Sequence, residues 1–367
     1  MQRWIPPLIF TAMLVACPRL TAQTPPLAGD STPEAILQRR LADALDLTRR
    51  RYLRAGVHTP WQVFHGIIAF GTEFSIRPPS SDELVNAVEF MCTDARVSGR
   101  RLLVPTRYGL EPIEGTAMEG HPDQFLAILA QSGVPIDFPV LVDGQQYRVE
   151  HLVTQAQSDY TTGQEASWTL IALATYLPPD ARWSNRYGSA VEIEDLVAAE
   201  VGVEPVTAAC GGTHNLYALA YGLNRQLAAG RSLTAPWQRA AQKIDTYISY
   251  TRSLQNADGH FSSRYYEGRG RARDFAHRIE TTGHTLEWLS LALSDEELEQ
   301  GWVTRGVEAL LDAFEATRSV PLDCGALYHG AHALALYRDR RFGPAPNDQG
   351  DVPIVSEPAP PLPAAAE

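Results

Sequence analysis

One recurring frame of residues limits what this chain can fold into more than any other feature. With His214 as origin, the fifth residue onward is large and apolar (Leu219) and the sixth is small (Ala220). The same frame fits His65 (Phe70, Gly71), His121 (Leu126, Ala127), His284 (Leu289, Ser290) and His329 (Leu334, Ala335). Trp168 takes the histidine's place ahead of Leu173 and Ala174. The origins are spaced widely enough for two helices and their turns, and a set of roles recurring at such intervals marks a repeat architecture. Each origin precedes a segment that is apolar almost all round, such as FLAILA, LYALAYGL or AHALALY. Helices of that kind are buried.

Between the buried segments lie stretches with a single apolar face. Thr32, Pro33 and Glu34 supply a cap, a first-turn proline and a first-turn acid for a helix running to about Arg54, with Ile36, Leu37, Leu41 and Leu45 at helical spacing. Ser81, Asp82 and Glu83 cap a second such stretch through Val97. Others begin at Val149, at Ile193, after Pro236 and near Asp295. Arg100 to Glu114 reads as an extended excursion or small hairpin, and Val140 to Tyr147 as a hairpin with Asp143 and Gly144 at its turn. Six amphipathic helices alternating with six buried ones predict an all-α fold. The arrangement that buries one set and half-exposes the other is an (α/α)6 toroid, a double ring of six inner and six outer helices with small β-hairpin insertions, over residues 33–342.

The loop from Leu254 through Gln255, Asn256, Ala257, Asp258, Gly259, His260 and Phe261 to Ser262 follows an outer helix and precedes an inner one. It resembles the repeat of squalene and hopene cyclases, the terpenoid cyclases, and of protein prenyltransferase β subunits, and the resemblance implies the toroidal fold. It does not imply the cyclase reaction, because the protonating DxDD run is absent.

A chain of 367 residues that is 44% hydrophobic can bury a sizeable core. A net charge of -12 argues against a nucleic-acid surface, which needs clustered cations. Residues 1–22 read as an export signal, with Arg3 ahead of an apolar run. Leu14, Val15, Ala16 and Cys17 resemble a bacterial lipoprotein signal; plain cleavage after Ala22 is the alternative. Both predict an exported protein of the periplasm or envelope that touches a membrane only through an N-terminal lipid anchor. Residues 23–32 read as a flexible tether and 343–367 as a disordered tail rich in proline and alanine.

In a toroid the inner helices run parallel, so His65, His121, Trp168, His214, His284 and His329 are predicted to meet at one mouth. His121, Trp168, His214 and His284 are placed at or near helix N-termini, with His65 and His329 a turn deeper. His214, His284, His121 and Tyr265 are the predicted catalytic residues, with Glu280 orienting His284. His65, Glu119, Glu165, Trp168, Asn215, Arg264 and His329 are the predicted ligand contacts. Backbone N–H groups at Gly211, Gly212 and Thr213, and at Thr281, Thr282 and Gly283, are expected to hold an anion at two helix N-termini. The bland alternative is that the acids, Asp323 included, cap helices while the histidines fill polar positions between the rings.

Tyr265, Arg264 and the neighbouring arginines, with His214 and Asn215, resemble the toolkit of toroidal polysaccharide lyases, which implies an anionic glycan; a solvated basic loop is the other reading. Cys210, His214, Cys324 and His329 form a possible zinc set. Lanthionine synthetase cyclases are similar in carrying a cysteine and histidine zinc site on a toroid, although their adjacent Cys-His-Gly motif is absent here. A disulfide, or two unrelated buried thiols, is the other reading, and the cofactor is otherwise unknown. Two function classes follow: an exported enzyme acting on a glycan or other small polar or anionic substrate, and a non-catalytic toroid that binds a ligand or partner protein. A deep polar cavity at the mouth would mark the first, and a mouth plugged by residues 100–114 the second.

Overall fold

The computed structural model of the protein describes residues 32–344 apart from 95, 98 and 116. The expected export signal, its lipid-anchor cysteine Cys17, most of the tether and nearly all of the tail lie outside the described residues. The described residues contain thirteen α-helices: α1 (Pro33–Arg49), α2 (Pro60–Phe70), α3 (Ala87–Met91), α4 (Gln124–Gln131), α5 (Val149–Asp159), α6 (Ser167–Tyr176), α7 (Ile193–Gly202), α8 (Thr213–Ala228), α9 (Ala235–Leu254), α10 (Phe275–Ala292), α11 (Asp295–Leu298), α12 (Gly301–Ala316) and α13 (Cys324–Phe342). The strands form four antiparallel two-stranded ladders: β1 (Ser75–Ile76) with β2 (Val85–Asn86), β3 (Leu103–Pro105) with β4 (Leu110–Pro112), β5 (Pro139–Val142) with β6 (Gln145–Arg148), and β7 (Arg182–Ser184) with β8 (Ala190–Glu192). The fold is largely all-α, as the apolar periodicities predict.

The helices nearly buried all round are α2, α4, α6, α8, α10 and α13, the six that follow the frame. They pack in chain order, α2 on α4, α4 on α6, α6 on α8, α8 on α10 and α10 on α13, and α13 returns to α2. The one-faced helices lie against them: α1 on α13, α3 on α2, α5 on α6, α7 on α6 and α8, α9 on α8, α12 on α10. On α12, Val303, Val307, Leu310, Leu311 and Phe314 line the buried stripe. Fully burying each such side chain contributes about 1.5–3 kcal/mol.

Local chemistry sets most boundaries. Thr32 accepts from the N–H of Ala35, and Thr59 and Gln62 form a capping box at the start of α2. The β5–β6 hairpin turns at Asp143 and Gly144, both with positive φ. Other boundaries differ from expectation. Helix α1 stops at Arg49 rather than Arg54, and the second amphipathic stretch shrinks to α3, because the β1–β2 ladder takes up its beginning and Asn86 provides the cap. The last outer element is split into α11 and α12. The largest shift is in α10, which begins at its cap Asp274, well before Thr282.

Helices α10 and α13 touch through glycine. A Cβ on Gly283 would lie 2.8 Å from Cα of Gly330, and one on Gly330 would lie 2.6 Å from the Ile279 side chain. This approach sets His284 beside His329.

Candidate functional site

The six frame residues come together. Ring centroids are 4.8 Å apart for His65 and His329, 3.7 Å for His284 and His329, 5.1 Å for His214 and His284, 5.0 Å for His121 and His214, and 5.1 Å for Trp168 and His214. His214 touches four of the other five and is the hub.

Their heights on the helices are not all as predicted. His214 follows Thr213 at the start of α8, Trp168 is second in α6, and His121 lies in the turn before α4. His65 and His329 are a turn into α2 and α13. His284, however, lies in the middle of α10, so the amides of Thr281, Thr282 and Gly283 sit within the helix and the anion site expected there is not formed. Gly283 is small for helix packing.

The acid that serves His284 is also different. Its Nδ1 lies 3.2 Å from Oε2 of Glu287, not against Glu280, which is half-buried one turn earlier. Glu287 is buried and also takes Nδ1 of His329 at 2.9 Å and of His332 at 2.7 Å. Burial alone would raise the Glu287 carboxyl, but the three imidazoles hold it well below the usual range. Burial pushes His329 down to about 4 in spite of that carboxylate, and it pushes His214 and His65 well below their ordinary value, helped by neighbouring imidazoles. Burial works against charge at His284 too. There the nearby Cys210 and Glu287 prevail, and its pKa rises to about 10.

Cys210 stands at φ 49°, followed by Gly211 and Gly212 at φ 62° and 77°. The ring of Tyr265 lies over Gly211, where a Cβ would come within 2.2 Å of it, and a Cβ on Gly212 would strike Pro205 at 2.3 Å. Only glycine fits this left-handed approach, which carries the half-buried thiol over the N-terminus of α8. Donor atoms of Cys210, His214 and His284 lie within 4.8 Å of one another. His214 is 9% exposed, and neither of its ring nitrogens has a hydrogen-bond partner. The buried indole Nε1 of Trp168 has none either. Both side chains line a cavity with about 10 Å³ open to a water's centre, close to the space of one water. The β3–β4 hairpin packs on α5, where a Cβ on Gly109 would strike the carbonyl of His151.

The remaining predicted residues divide. His121 pairs through Nδ1 with Glu165 at 2.9 Å on the more open side of His214. His65 gives its Nδ1 to the carbonyl of Trp61. Glu119 accepts the N–H of Phe125 and Asp323 that of Gly325, so both cap helices. Asn215 donates to Glu200 at 2.6 Å, within a network that also holds Ser167 and the amide of Ala166. Arg264 is exposed and paired with Glu267, and Arg271 with Asp258, as in a solvated basic loop.

The expected zinc set is revised. Cys324 starts α13 five residues before His329, which at 100° per residue places it on the opposite side of the helix. Its thiol is free, and burial raises it to about 11. Cys92 and Cys210 are free as well, so the described cysteines form no disulfide. No family model, curated protein or solved structure matches this chain.

Glu287 and His332 were missed by sequence reasoning. Their signal is an acid and a histidine inside otherwise apolar helices, three residues after frame histidines and so on the same face.

Proposed function

We propose that this chain is an exported (α/α)6 toroid that holds a transition-metal ion, zinc by its donor set, at Cys210, His214 and His284. The observation that carries this is His214: a buried imidazole with both nitrogens unpartnered, set between a thiol and a second imidazole. Buried polar atoms are almost always satisfied, so an orphaned pair of ring nitrogens calls for a ligand. One sulfur and two nitrogens are a zinc donor set, and three protein ligands leave a fourth position for water or substrate. Zinc bonds of about 2.0–2.3 Å place donors roughly 3.5 Å apart, within reach after side-chain shifts of about 1 Å. Glu287 would hold Nδ1 of His284 by its hydrogen bond, leaving Nε2 free to bind the ion. The His121–Glu165 pair, edge-on to His214, is placed to move a proton to or from a ligand held there.

The double ring is supported by the closed packing order of the six buried helices, which is also what the resemblance to cyclase and prenyltransferase repeats implies. The described cavity that His214, His329 and His332 line has space for about one water, too little for a sugar ring. The enclosure favours either a small substrate or a closed, non-catalytic metal centre.

A second reading rests on the contact between Cys210 and His284. A thiol at a left-handed position, within 4.8 Å of an imidazole whose Nδ1 meets Glu287, has the layout of a nucleophile, base and orienting acid. Metal analysis and alkylation separate the two. The zinc reading expects about one zinc per chain, roughly tenfold less in Cys210→Ala and His214→Ala, and Cys210 slow to alkylate until a chelator is added. Metal-free protein whose Cys210 reacts rapidly with iodoacetamide, and slowly in His284→Ala, would replace it with the thiol reading.

A further inference from the structure

Away from the histidines, a cleft of about 610 Å³ opens between the end of α9, the loop after it and the start of α12. Its walls carry Arg252, Arg269 and Arg305, and no aspartate or glutamate. In a chain of net charge -12, most arginines with described contacts sit against carboxylates, among them Arg40, Arg54, Arg182, Arg340 and Arg341. Among the described residues the three cleft arginines do not.

Two of them are held in place by neutral acceptors. Arg269 donates to the carbonyl of Ser253 at 2.5 Å, and Arg305 to Oε1 of Gln255 at 3.3 Å. Gln255 is itself buried and fixed through Nε2 to the carbonyls of Gly259 and Trp302. The guanidiniums are thus positioned without being neutralised. Helix α12, sixteen residues long, begins at Gly301 on the cleft wall and has no side-chain cap. Its first N–H groups and positive dipole end add to the same field.

We infer that this cleft is a second binding site, one for a small oxyanion-bearing ligand such as a phosphate ester or a uronate sugar. Its volume suits a ligand of a few rings or groups, and guanidinium forks match the paired oxygens of phosphate and carboxylate. Three cations with no acid between them repel one another, and an oxyanion relieves that repulsion. The site is independent of the proposed metal.

Isothermal titration at low salt with inorganic triphosphate, trigalacturonate and neutral maltotriose tests it, on the wild type and on Arg252→Ala/Arg305→Ala. Both arginines are exposed, so the melting temperature should not change. The expected result is submillimolar binding of one or both anions, none of maltotriose, weakening with salt, and a loss of roughly tenfold per arginine removed. Triphosphate alone would assign a phosphate ester, and trigalacturonate alone a uronate. If neither anion binds, or if the double variant binds them as tightly as the wild type, the cleft is not this site.

Discussion

Gly283→Ala tests the contact that assembles the site. The added Cβ would lie 2.8 Å from Cα of Gly330, also 2.8 Å from its backbone nitrogen, and 3.0 Å from the His329 carbonyl carbon. Helix backbone lines both sides, so the clash is relieved only if α10 and α13 separate by about 1 Å, and such overpacking costs about 1–3 kcal/mol. The same movement takes the His329–Glu287 contact from 2.9 Å out of hydrogen-bond range, and a bond to a charged acceptor is worth about 1.5–3 kcal/mol. Alanine's helix propensity returns about 1 kcal/mol. The net is a destabilisation of about 3 kcal/mol, or roughly 6 °C in melting temperature for a domain of this size. Gly202→Ala is the control, since a Cβ there meets nothing within 4 Å and φ is not left-handed. Thermal melts monitored by circular dichroism should show Gly202→Ala neutral or slightly stabilised and Gly283→Ala clearly lowered. If both variants melt at or above the wild type, the close helix contact is not what brings the histidines together.

Three further outcomes are expected. Burial raises Asp123 from 3.8 to about 6, so the folded state holds its proton more tightly than the unfolded chain; its stabilising contribution is present below about pH 4 and is lost as pH rises through 6, about 3 kcal/mol in all. Asp123→Asn should lack that component, so denaturant titrations of the two proteins should diverge between pH 4 and 7; parallel curves would count against it. Glu287→Gln keeps the shape but removes the charge that orients three imidazoles, so zinc affinity by competition with a chelator should fall by about 10–100-fold; unchanged affinity would remove Glu287 from the metal's support. His65→Ala should lower stability yet leave zinc content intact, since its Nδ1 is bound to the Trp61 carbonyl, and loss of metal in that variant would require a different ligand set.

Much of this fold is legible in sequence because burial dictates pattern. The all-apolar segments after each frame residue became the buried helices, and the shared +5 and +6 positions placed His65, His121, Trp168, His214, His284 and His329 together. The failures have physical causes. Thr281, Thr282 and Gly283 look like a helix start, but the helix had already begun at Asp274, and the glycine is required by Gly330 from a distant helix that local propensity does not report. Cys324 stands five residues before His329 much as Cys210 stands four before His214, yet Cys210 is in left-handed backbone while Cys324 is helical, so only Cys210 turns toward the cluster. Glu287 passed as an ordinary residue because its partners His329 and His332 come from another repeat.

X-ray absorption at the zinc edge of the purified protein reads the ligand set proposed at Cys210, His214 and His284. The expected shell is one sulfur at about 2.3 Å and two imidazole nitrogens with a further light atom at about 2.0–2.1 Å, the sulfur being lost in Cys210→Ser. A zinc shell without sulfur, or protein that retains no metal after purification in zinc-containing buffer, would contradict it.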